Sequence, residues 1–175
     1  MGKETSQETL AKTMDYVQKI RKTPIVVNDS RGFYTSRVFG TYTGEGVAML
    51  AEGIKPALIE NAGKMTGMPM APLALSDAVA LDLAWKVTTQ TKKDFEAEGK
   101  EFPVTPMYSI MEEMVEKQGR FGKKNNKGFY EYPESWKKYL WPELSNLCKE
   151  SDDQPEVDEL KKRFLYIQAL ETAKC

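Results

Sequence analysis

Apolar residues recur at helical spacing through most of this chain, and the breaks in that rhythm mark out its elements. Leu10, Met14, Val17 and Ile20 predict a helix over 6–21. Thr5 and Glu8 have the spacing of a capping box at its start, and Pro24 stops it. Ile25-Val26-Val27 is a β-branched run of strand length. One strand alone is not stable in water, so this run either joins a sheet outside the chain or lies on the helices as an extended segment. The pattern is helical again from Phe33 to Glu52, closed by Gly53. Gly40, Gly44 and Gly46 lie inside that helix, each at a cost of about 1 kcal/mol against alanine. The usual compensation is another backbone packed closely on the glycine face.

A helix from Pro56 to Gly67 follows, with proline in its first turn. Met68-Pro69-Met70-Ala71-Pro72 reads as an extended turn, because each proline pushes its predecessor out of the helical region. Pro72 then opens a long helix to near Gly99, with Leu73, Leu75, Val79, Leu81, Leu83, Ala84 and Val87 as its apolar positions. Another runs from Pro106 to Gln118 on Met107, Ile110, Met111, Met114 and Val115. Residues 120–132 form a basic, glycine-punctuated loop with an aromatic, strand-like end. Glu134 to Lys149 reads as a helix along Trp136, Leu140, Leu144 and Leu147. After a linker at 151–155 comes a last helix over 156–174, on Leu160, Phe164, Ile167 and Leu170. Aligning Arg163 with Arg37 also brings Glu171 onto Glu45. This is a weak internal repeat between two segments that each open a helical block after a linker.

Composition narrows the chemistry. At 175 residues the chain can bury one good core or two small ones. A net charge of −1 provides no field to recruit nucleic acid or an anionic membrane. No apolar run spans a bilayer, and the N-terminus lacks both a signal core and a convincing myristoylation context. Cys148 and Cys175 form neither a disulfide framework nor a metal cluster, so a reducing, cytoplasmic setting is expected. The chain contains no histidine, so no nucleophile–base pair can be built around an imidazole. Ser30, Ser36, Ser76 and Ser109 therefore read as caps, turns or surface residues.

Three features have two readings each. Asn28-Asp29-Ser30-Arg31-Gly32 either caps the helix that follows or aims its start, through Ser36 and Arg37, at a bound ligand. On that second reading Asn28, Ser30 and Arg37 are the substrate-binding candidates. Asp77 and Asp82, in an apolar helix, are either buried functional carboxylates or satisfied helix-face ones. The methionines at 65, 68, 70, 107, 111 and 114 fill core gaps or form a flexible acyl-binding wall. The basic loop, with Arg120, Lys123, Lys124 and Lys127, reads as a solvated turn, because it lacks a Walker-type lysine.

Three blocks together resemble one family. Residues 23–38 resemble the junction in 3-hydroxyacyl-CoA dehydrogenases where the NAD-binding domain meets the helical C-terminal domain. Gly67-Met-Pro-Met-Ala-Pro72, followed by the helix bearing Asp77 and Asp82, resembles that family's Gly-x-Pro-Met-Gly-Pro segment, with Ala71 at a glycine position. Lys123-Lys-Asn-Asn-Lys-Gly-Phe-Tyr-Glu-Tyr132 resembles its closing Gly-Lys-x-Gly-Lys-Gly-Phe-Tyr signature. The chain continues past that signature, so it resembles the multifunctional fatty-acid oxidation proteins that carry two helical repeats.

The resemblance implies a mostly α fold, the helical C-terminal domain of a 3-hydroxyacyl-CoA dehydrogenase (6-phosphogluconate dehydrogenase C-terminal-like), with one leftover strand of the NAD-binding domain. It divides the chain into 1–30, the end of that domain; 31–133, the first helical domain; and 134–175, a linker helix and the first helix of a second repeat. It implies oxidation of (S)-3-hydroxyacyl-CoA by NAD in a longer protein, with self-association and a thiolase partner subunit. The family's glycine fingerprint and its histidine–glutamate dyad lie upstream, so this piece is expected to hold no tightly bound cofactor and to be inactive alone. Ser36 stands where the family has an asparagine beside the dyad and the substrate oxygen. The other reading is a stand-alone helical interaction or dimerisation module, which gains if residues 25–27 lie exposed or draped over the helices of a complete fold, whereas an unpaired edge or pairing with another copy favours the fragment.

Overall fold

The computed structural model of the chain describes residues 1–29 and 32–175. Helix α1 spans Gln7–Lys19. Its cap is Ser6, one residue later than the predicted Thr5, because Ser6 is the last extended residue and its Oγ accepts the Thr9 amide at 3.1 Å. No side chain of α1 is buried. Its Leu10–Met14–Val17 stripe borders a groove whose other wall is Pro24–Val27.

The leftover strand predicted at 25–27 is not formed. The segment is extended but belongs to no sheet, with Ile25 and Val26 65% and 50% exposed. Its recorded pairing is with the first residue: the Met1 amino group donates to the Val27 carbonyl, and the Asp29 amide to Met1 O at 3.1 Å.

The core is organised around α2 (Phe33–Ala51), with α3 (Pro56–Met65), α4 (Pro72–Val79), α6 (Pro106–Glu112) and α8 (Val157–Lys174) packed on it. Tyr42, Met49, Leu50, Ile59, Leu73, Met114, Phe129 and Phe164 are all buried there. Of the three helix glycines, Gly46 meets the expectation of close packing. A Cβ there would stand 2.7 Å from the Pro72 ring, and one at Gly63 of α3 would stand 2.4 Å from it. The two glycines let α2 and α3 close on the start of α4. Gly40 has nothing within 4 Å.

Two expected elements differ. The long helix from Pro72 is broken at Ala80, whose φ of 84° separates α4 from α5 (Leu81–Ala97). The freed Leu81 amide bonds Phe121 O at 3.1 Å, so a tertiary contact sets this break without any glycine or proline. The helix predicted over 134–149 is replaced by a short hairpin. Strand β1 (Tyr130–Glu131) pairs antiparallel with β2 (Tyr139–Leu140), and only α7 (Leu144–Leu147) is helical. Pro142 explains the difference, since it lacks an amide and its ring obstructs the preceding turn. The helix at 106–118 does form, but widens after α6 into a π-turn over Glu113–Lys117.

Helix α8 runs antiparallel to α2, with Leu160 and Phe164 buried and the Phe164 ring 5.1 Å from that of Tyr42. The linker before it is tied to the α2–α3 turn. The Ser151 amide donates to Gly53 O at 2.9 Å, and the Gln154 side chain bridges Gly53 O and the Lys55 amide. Among the described residues no helix is long and apolar enough to cross a membrane.

Candidate functional site

The candidate residues gather at the start of α2. Gly32 precedes the helix in the left-handed region at φ 73°, and among the described residues no side chain caps the helix there. The capping proposed for the Asn28–Gly32 turn is thus not supplied by Asn28 or Asp29; Ser30, with Arg31, lies outside the described residues. Asn28 and Arg37 line one shallow hollow with Val26, Val27, Phe33, Tyr34 and Cys175. Glu171 of α8 engages the Arg37 guanidinium, 2.8 Å from Nε and 2.5 Å from Nη2. Arg37 is therefore positioned first by an intramolecular ion pair.

Ser36 is exposed. On a helix it shares a face with Phe39, Gly40 and Thr43, which follow at three, four and seven positions. One turn further, α2 forms a wall of an apolar pocket. Phe39, Thr43, Gly44 and Val47 face Val79 of α4, Leu81 and Ala84 of α5, and Met107 and Met111 of α6. Ser36 does not line this slot; it precedes it by one turn on the same helix face, and the slot itself suits a small apolar group. Met107 and Met111 fall in this wall, whereas Met114 is wholly in the core and Met65 is exposed.

A second cluster accounts for Asp77. Its carboxylate is fully buried and accepts the Phe129 amide at 2.8 Å, the Tyr130 amide at 2.9 Å and the Tyr132 hydroxyl at 3.0 Å. Glu60 of α3 accepts the Leu73 amide at 2.7 Å and the Ala74 amide at 3.3 Å at the start of α4, and the Tyr130 hydroxyl at 2.5 Å. Burial raises both carboxyls above their ordinary values, and these donors pull them back only in part. Burial and the neighbouring carboxylates push the Tyr130 and Tyr132 hydroxyls up as well. Lys138 lies over the Tyr130 ring at 4.5 Å. The cluster clasps the 128–132 segment onto α4. Sequence reasoning saw Asp77 but not its partners, which lie more than fifty positions away; the alternation of Tyr130 and Tyr132 was the available signal.

Two of the four basic residues of the loop, Arg120 and Lys124, have partners within the chain. Arg120 is buried, donates from Nε to Gly128 O and from Nη2 to Glu131, both at 2.8 Å, and stacks 3.9 Å from the Trp141 ring. Lys124 pairs with Asp82 Oδ2 of α5 at 2.7 Å and Lys86 approaches the same oxygen at 3.7 Å, so the helix-face reading holds for one oxygen, while Oδ1 is buried with no hydrogen-bond partner among the described residues. Lys123 and Lys127 are exposed. Among the described residues no cluster of acidic, cysteine or histidine side chains could hold a metal ion.

Residues 32–132 match the family model described as 3-hydroxyacyl-CoA dehydrogenase, C-terminal domain. The chain belongs to that family. The 3-hydroxyacyl-CoA dehydrogenase C-terminal domain thus covers everything from the start of α2 to the Tyr132 hydroxyl on Asp77. The chain is 35% identical over 134 residues to the fatty acid oxidation complex subunit alpha of Shewanella baltica, covering 77% of this chain but 18% of that protein. It spans about a fifth of the length of the curated relatives it matches. Among solved structures it resembles (S)-3-hydroxybutyryl-CoA dehydrogenase PaaH1 from Ralstonia eutropha, with a TM-score of 0.64 and 30% identity over 75% of this chain and 45% of that one. The dehydrogenase part of a multifunctional enzyme from C. elegans shares the fold along 100% of this chain and 39% of its own, at a TM-score of 0.66 and 24% identity. The mostly helical family fold is therefore shown.

Proposed function

We propose that this chain supplies the helical wall of the substrate cleft in an NAD-dependent oxidation of (S)-3-hydroxyacyl-CoA to 3-oxoacyl-CoA. The observation that carries this reading is the placement of Ser36. The residue at the family's asparagine position is exposed at the start of α2, on the face that continues into the apolar pocket. In this reading the Ser36 hydroxyl donates to the substrate's 3-oxygen, and Phe39, Val47 and Met107 contact the acyl chain. Asn28 and Arg37 border the hollow nearest that end of α2. Ser30 is the third binding candidate.

The residues of this chain do not fit NAD. The sequence has no Gly-x-Gly-x-x-Gly, and among the described residues no strand runs into a helix to form a dinucleotide crevice. The cofactor and the histidine–glutamate pair that takes the hydroxyl proton would come with an NAD-binding domain. The apolar surface on the N-terminal side supports a neighbour of that kind. Ile25, Val26, Phe33 and Tyr34 are exposed together, and α1 buries nothing. Self-association and a thiolase subunit belong to the same proposed assembly.

The test is substitution of Ser36 in the longer protein. Ser36→Ala should lower kcat for 3-hydroxyacyl-CoA oxidation about tenfold or more, as expected for losing one donor to the reacting oxygen. Ser36→Asn should restore it. Wild-type kcat in Ser36→Ala would remove Ser36 from the site.

A further inference from the structure

Close packing on Pro72 accounts for Gly46 of α2, but it does not account for Gly44. Among the described residues, the one atom that a Cβ at Gly44 would meet within 4 Å is Sδ of Met107, at 3.3 Å. That atom is the far end of a flexible side chain, not a backbone that needs the room. Gly44 instead lines the apolar slot between α2, α4, α5 and α6. It lies two i+4 steps from Ser36, on the same face of α2. A glycine in mid-helix weakens the helix, and here the missing side chain leaves the slot open.

The slot is apolar in its bonding as well as its composition. Three hydroxyl residues line it, and each hydroxyl turns back to a carbonyl of its own helix. Thr43 donates to Gly40 O at 3.3 Å, Ser76 to Pro72 O at 2.9 Å and Thr88 to Ala84 O at 2.9 Å. No lining side chain is charged. A polar ligand group would lose its water here and find no side-chain hydroxyl free to replace it, whereas an alkyl chain loses nothing. Val47, Leu81 and Met111 are buried at the floor, and Val79 and Ala84 are exposed at the mouth. The volume is about 60 Å³, room for about four groups the size of a water or a methylene.

We propose that Gly44 is a specificity-determining residue, and that the slot it keeps open takes the outer carbons of a medium-length acyl chain. This rests on the function proposed above, with Ser36 at the reacting oxygen. The slot begins one turn beyond Ser36, about 5 Å along α2. The acyl chain of 3-hydroxybutyryl-CoA has only its terminal methyl beyond the reacting carbon and does not reach that far. The chain of 3-hydroxydecanoyl-CoA crosses the turn and enters the slot. Met107 and Met111 adapt their thioether side chains around it.

Filling the slot tests this in the longer protein, with kcat/KM measured for both substrates. Gly44→Leu should lower the ratio of the decanoyl to the butyryl value about tenfold or more, the scale on which hydrophobic pockets discriminate. Gly44→Ala strengthens the helix and adds one methyl group, so it should raise Tm and still lower the ratio, by a smaller factor. A ratio that neither variant changes, or an equal fall for both substrates, overturns the proposal. The slot itself is read in this chain without any turnover. With carbon-13-labelled methionine methyl groups, millimolar octanoate should shift the Met107 and Met111 signals and leave that of exposed Met65 in place. Gly44→Leu should abolish the shift. No shift, or the same shift in Gly44→Leu, overturns the proposal. A shift in this chain with no dehydrogenase activity in the longer protein supports the alkyl site and contradicts the function proposed above.

Discussion

Replacing Gly128 with alanine tests whether the closing loop is held by the Asp77 carboxylate. A Cβ at 128 would stand 2.1 Å from Asp77 Oδ1 and 2.4 Å from Oδ2, far inside ordinary contact distance. The carboxylate cannot retreat, because it is fully buried in α4 and accepts two backbone amides and a tyrosine hydroxyl. Relief requires the loop to move by more than about 1 Å, which stretches bonds now at 2.8–3.0 Å beyond hydrogen-bonding range. Each buried group left unpaired costs about 1–3 kcal/mol, so the loss comes to about 3–6 kcal/mol. For a chain of this length that lowers Tm by about 10–20 °C. Gly40→Ala is the matched control: it lies mid-helix with open space around it, and should gain up to about 1 kcal/mol. Thermal unfolding by circular dichroism compares the two. A Gly128→Ala protein melting within about 3 °C of the original would refute the argument.

Other consequences follow from the same geometry. Ala80→Gly relieves a backbone conformation that alanine rarely adopts, and should stabilise the protein by about 1 kcal/mol in urea unfolding; destabilisation would show that the break is not strained. Folded Glu60 and Asp77 hold their protons more tightly than in the unfolded chain. Their contribution is complete below the ordinary values of 4.5 and 3.8 and is lost as pH rises through the higher folded values. Urea stability of Glu60→Gln should therefore fall less steeply than wild type as pH rises above about 4.5, and an unchanged slope would exclude Glu60 as a source.

The parts of this fold legible in the sequence are those with local causes. Helices α1, α2, α3 and α8 follow from apolar spacing with proline or glycine at their ends, and each appears within a few residues of the expected bounds. The break at Ala80 was not legible, because its cause is the carbonyl of Phe121, forty-one positions away. The hairpin at 130–140 was half legible. Pro142 argues against a helix there, but the pairing with β1 depends on a loop that Asp77 holds in place. At the candidate site, Ser36 and Arg37 were found from the helix start. That Arg37 is already engaged by Glu171 depends on α8 crossing back over α2. The weak repeat aligns these two residues with Arg163 and Glu45, but sequence alone gives no sign that the two pairs bond crosswise, Arg37 with Glu171 and Arg163 with Glu45.

The most direct measurement of the proposed function is NADH oxidation by acetoacetyl-CoA with this chain and a separately prepared NAD-binding domain from a fatty acid oxidation complex subunit alpha. The account predicts no turnover by this chain alone and turnover that rises and saturates as the chain is added to the NAD-binding domain. Turnover by this chain alone, or no rise at any ratio under conditions where both are folded, would contradict it.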